Sequence, residues 1–135
     1  MVFFRRFVAV VAGYGLWTLL WLAGNKAFFA ASAGGATAAR QPFGDVPTLC
    51  GLLVLAIACS LAAGILSARL LPDSRPRPVL VPLCAALLAS GAIVTVQLRE
   101  LLPVWYHVLF LVLLAPMTLL GMRLGTPRSP TPTGA

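Results

Sequence analysis

The chain has 135 residues, of which 60% are hydrophobic and 10% charged, and its mean hydropathy is +0.97. A soluble domain carries about 25% charged residues, so this composition excludes an ordinary soluble globule and points to an all-α integral membrane bundle. The net charge of +7 comes from ten basic and three acidic side chains. They gather at the ends of apolar runs with no basic surface of interleaved aromatics, which excludes a nucleic-acid partner and names the lipid bilayer instead.

Four runs reach the roughly 20 helical residues needed to cross a hydrocarbon core about 30 Å thick. The first covers about 4–24, "FRRFVAVVAGYGLWTLLWLAG". With Ala31–Ser32–Ala33 beyond it, this run imitates a secretory signal. It is longer than the usual core of about 7–15 apolar residues, so it is expected to stay uncleaved as the first span. Residues 25–47 then read as one long outer loop, in which the paired Phe28 and Phe29 are expected to dip into the interface.

The second span covers about 48–71. Ala56, Ser60, Gly64 and Ala68 recur at every fourth position, with Cys59, Ala63 and Ser67 in a second small row. Lipid provides no hydrophobic drive between helices, so close approach through small residues supplies the association. This helix is therefore expected to form the centre of the bundle or a dimer face, with packing inside one chain preferred. Pro72, Pro76 and Pro78 should keep the next link extended.

The third span covers about 79–98, with Pro82 in its first turn. Its small side chains Ala85, Ala86, Ala89, Ser90 and Gly91 suggest a surface matched to the second span. The fourth covers about 104–124, opened by Pro103 and interrupted by Pro116. Pro116 removes the helical bond to Val112 and permits a kink. Residues 125–135, rich in proline and small polar side chains, are expected to be a disordered tail.

Basic residues orient these spans. Arg5, Arg6, Arg69, Arg75, Arg77, Arg123 and Arg128 fall at one set of ends, and Lys26, Arg40 and Arg99 at the other. The positive-inside rule puts both termini in the cytoplasm, which for a bacterial chain means the inner (plasma) membrane. Arginine supplies nine of the ten basic residues, a bias that suits a GC-rich bacterial genome.

Candidate chemistry is sparse. Cys50 and Cys59 lie about 13 Å apart along one helix, beyond the roughly 7 Å reach of a disulfide, and Cys84 stands on another span. A single histidine forms neither a bis-histidine haem site nor a zinc site, and no cofactor or metal is expected. No phosphate-binding, metalloprotease or serine-hydrolase motif occurs. Asp45, Asp73 and Glu100 all fall in loops or at span ends. Coupled transport usually needs an ionisable group within the bilayer, so a proton-coupled exporter of the small multidrug-resistance kind is disfavoured.

One constellation remains, at the outer end. Tyr14, Thr18, Trp21 and Asn25 share a helix face. Thr95, Gln97, Arg99 and Glu100 end the third span, and Trp105, Tyr106 and His107 open the fourth. Asn25, Gln97, Arg99, Glu100 and His107 are the candidate polar cluster. Together these residues suggest a polar depression facing outward. The plainer reading is interfacial anchoring by Trp and Tyr, with His107 paired to Glu100 or to a backbone carbonyl.

The run "LLPVWYHVLFLVLLAPMTLLGMRLG", with "FVAVVAGYGLWTLLWLAGN" near the start, resembles small bacterial four-span integral membrane proteins with no known activity. The resemblance covers most of residues 5–124 and implies the four-span architecture alone. From the residues themselves, the favoured function is a non-catalytic accessory or structural subunit that packs against another membrane protein or itself. The alternative is a homo-oligomeric carrier or channel for a neutral or apolar solute. An enzyme built on His107 and Glu100 is disfavoured.

Overall fold

The computed structural model describes residues 1–31, 46–71, 77–97, 99–100 and 102–126. The expectations for the loop over 32–45, the link over 72–76 and the tail over 127–135, with Arg40, Asp45, Asp73, Arg75 and Arg128, lie outside the described residues. Within them are four α-helices and no strand: α1 (Val2–Ala31), α2 (Val46–Leu70), α3 (Arg77–Gln97) and α4 (Val104–Gly125). Each is long and apolar enough to cross a membrane.

Three boundaries differ from the sequence reading, each for a local reason. α1 runs on through Asn25, Lys26 and the paired Phe to Ala31, because neither proline nor a turn-forming cluster interrupts that stretch. Its 30 residues make about 45 Å of helix. α3 begins at Arg77, so Pro78 is helical rather than extended, and Pro82 falls in the second turn rather than the first. A proline in the first turn costs little, since those N–H groups have no helical partner. Pro82 is past that zone and does remove a bond, the one to the Pro78 carbonyl. α4 runs through Pro116 and ends at Gly125, one residue beyond the expected end of the span.

The helices do not pack in chain order. α2 packs against α1 and α4, and α3 against α4 and α1, so the consecutive pair α2 and α3 stand at opposite corners. Cβ directions at the glycines fix the registers. A Cβ on Gly24 would meet Leu55 at 2.5 Å, and one on Gly51 would meet Phe28 at 2.7 Å, so α1 and α2 run antiparallel. A Cβ on Gly121 would meet the Leu61 carbonyl, and one on Gly125 the Ile65 carbonyl at 2.7 Å. Both partners advance together, so α2 and α4 run parallel.

The α2–α4 seam is the most extensive contact in the bundle. Ala56, Ser60, Gly64 and Ala68 are all buried, as are Cys59, Ala63 and Ser67. A Cβ on Gly64 would meet the Thr118 carbonyl, and the Met122 nitrogen at 2.8 Å. The small rows are thus used within one chain. The row that holds Gly64 and Ala68 faces Thr118, Gly121 and Gly125 of α4, while Ala63 and Ser67 of the second row face α1, and neither row takes the Ala- and Ser-rich face of α3 as its main partner.

α1 closes on the other flank of α2. Ser67 Oγ donates to the Ala9 carbonyl at 3.0 Å, and Gly13 lies against Ser67 and Ala63. At the end of the bundle that holds Met1, one residue from each helix forms a layer: Ala9, Ala68, Val79 and Met122.

Interior polar groups are mostly paired. Trp17 Nε1 donates to Ser60 Oγ at 3.3 Å, Ser60 donates to the Ala56 carbonyl at 2.8 Å, and Thr118 donates to the Leu114 carbonyl at 2.7 Å. Tyr14 and Ser90 hydroxyls bond at 2.7 Å between α1 and α3. Such interhelical bonds average about 0.6 kcal/mol in membrane proteins. Tyr14→Phe is accordingly expected to lower stability by about that amount, read from SDS-induced unfolding in micelles.

The exterior inverts the pattern of a soluble protein. Phe7, Leu22, Val54, Val81, Val112 and Leu124 are large, apolar and exposed, while the main seam is built of Gly, Ala and Ser. A helix apolar on all sides needs apolar surroundings on all sides.

Candidate functional site

The end of the bundle away from Met1 is set by the last turns of α1 and α3, the first turns of α2 and α4, and Arg99, Glu100, Leu102 and Pro103 between α3 and α4. The structure disperses the five polar candidates. Asn25 lies beside Gly24, hence level with Leu55 and about one turn below Phe28. Its amide donates back to the Trp21 carbonyl at 2.7 Å. Thr18 does the same, donating to the Tyr14 carbonyl at 3.0 Å. Gln97 is exposed on the outside of α3, beside Ile93 and Val96. Arg99 and Glu100 approach to 4.0 Å in the turn, with side chains 74% and 85% exposed. An ion pair this wet and this long contributes little.

His107 parts from this group. It is only 7% exposed, and its Nε2 is buried with no hydrogen-bond partner. The expected pairing of Glu100 with this nitrogen is absent, because Glu100 turns outward beside Arg99.

A second orphan stands at the same height. Val79, Leu83, Leu87 and Gly91 are the buried positions of α3, and the same four-residue step leads to Thr95. Thr95 Oγ1 is also buried without a partner. Val79 shares a layer with Met122, and Gly91 lies against Leu111. That antiparallel register brings Thr95 to the level of His107.

Aromatic rings fill the space between α1 and α4 where the sequence suggests a polar depression. Trp17 stacks on Trp21 at 5.8 Å, Trp21 meets Phe110 at 5.4 Å, and Phe110 stacks on Tyr106 at 6.2 Å. Tyr106 meets Trp105 edge-on at 6.3 Å and His107 at 6.0 Å. This column runs from the exposed Trp105 at the rim to Trp17 in the middle of the bundle. Phe28 and Phe29 pack against the same core, Phe28 over Gly51, rather than lying free to enter the interface.

Sequence reasoning missed Gly121 and Gly125. The signal was present: "GMRLG" is a G-x-x-x-G spacing within an apolar run. Three thiols stand at separate places, with Cys50 exposed, Cys59 buried and Cys84 half-buried.

Chemically, the end away from Met1 offers two buried polar atoms, on Thr95 and His107, beside a wall of aromatic rings. A hydroxyl both donates and accepts, and a neutral imidazole nitrogen does one or the other according to tautomer. Comparison with protein-family models, curated proteins and solved structures gives no match to this chain.

Proposed function

We propose that this chain is a multi-pass protein of the inner (plasma) membrane with both termini cytoplasmic, acting as a non-catalytic accessory or structural subunit. One observation carries the reading: small residues line the seams inside, and large apolar side chains cover the outside. A close-packed centre filled by Trp17, Leu83, Leu87 and Leu114 suits a scaffold better than a conduit. The orientation draws on Arg5, Arg6, Arg69 and Arg123 at the ends of the helices nearest the termini.

The test is native mass spectrometry of the complex purified in mild detergent from its own host. A stoichiometric foreign chain supports the subunit reading. A bare homo-oligomer carrying a reproducible small molecule overturns it and supports the carrier reading.

That second reading has its own support in the unpartnered atoms of His107 and Thr95. An unsatisfied buried polar atom costs about 1–3 kcal/mol. If nothing binds there, His107→Phe removes that cost, and the variant is expected to be at least as stable as the parent in SDS unfolding. A loss above roughly 1 kcal/mol means that the imidazole has a ligand, and it moves the assignment to the carrier.

A further inference from the structure

We draw no further inference here: the strongest candidate, the outer face of α3 with its exposed Ala85, Ala89 and Ala92 and the apolar groove it forms against Ala115 and Pro116 of α4, is an unpartnered face of small residues, and nothing in the structure shows what covers it.

Discussion

Replacing Gly64 or Gly121 by leucine is expected to lower stability by about 3 kcal/mol, the upper part of the usual range for overpacking. Neither position has room for even a methyl group. A Cβ on Gly64 would strike the Thr118 carbonyl and crowd the Met122 nitrogen, and one on Gly121 would strike the Leu61 carbonyl. These are backbone atoms, which cannot rotate aside, so α2 and α4 must separate along their whole seam. Gly15 is the internal control, since a Cβ there meets nothing within 4 Å. Gly15→Leu should stay within about 0.5 kcal/mol of the parent. The measurement is reversible SDS unfolding in micelles, followed by circular dichroism. If Gly64→Leu and Gly15→Leu behave alike, the α2–α4 seam is not the source of the bundle's stability.

Trp17→Ala is expected to cost roughly 3 kcal/mol, as large aromatic truncations in packed cores do. Trp17 is 3% exposed, stacks on Trp21 and donates to Ser60. Removing it leaves a hole at the inner end of the aromatic column and takes away one partner of the Ser60 hydroxyl. Trp17→Phe separates these effects. It keeps a ring for stacking and loses the N–H with part of the indole, so it should cost more than the roughly 0.6 kcal/mol of one interhelical bond in a membrane protein and less than Trp17→Ala. The same unfolding assay reads both variants. If the two substitutions cost equally, the hydrogen bond outweighs the packing and the column is not structural.

The four helices were legible in the sequence because length and apolarity alone define them. So were the buried faces of α2, since Ala56, Ser60, Gly64 and Ala68 carry their own four-residue period. Their partner was harder to find. Both α3 and α4 offer small residues, and composition does not distinguish the Ala-rich face over 85–91 from the glycine pair at 121 and 125. Backbone contact does: a glycine removes the last side-chain atom and lets the helices touch, whereas an alanine row holds them apart. The extent of α1 escaped because Asn25 and Lys26 suggest an exit from the membrane, and a helix can continue beyond it. The polar candidates Asn25, Gln97, Arg99, Glu100 and His107 read as one group because they are near one another in the expected topology. They part because short polar side chains on a helix, such as Thr18 and Asn25, find the carbonyl four residues back, while Arg99 and Glu100 remain in water.

The crossed arrangement of the helices sets an order of assembly during synthesis. α1 and α2 emerge first and already hold complementary surfaces in antiparallel register, so they form a hairpin at once. α3 follows, yet it has no major contact with α2 and meets only α1. The face of α2 that holds Gly64 and Ala68 must wait for the last helix, whose matching residues lie nearly half the chain further on. Until α4 arrives, that face remains open to lipid or to a neighbour. The strongest joint in the bundle is thus the last to close, and a chain truncated before Val104 would expose the surface that the finished protein covers most completely.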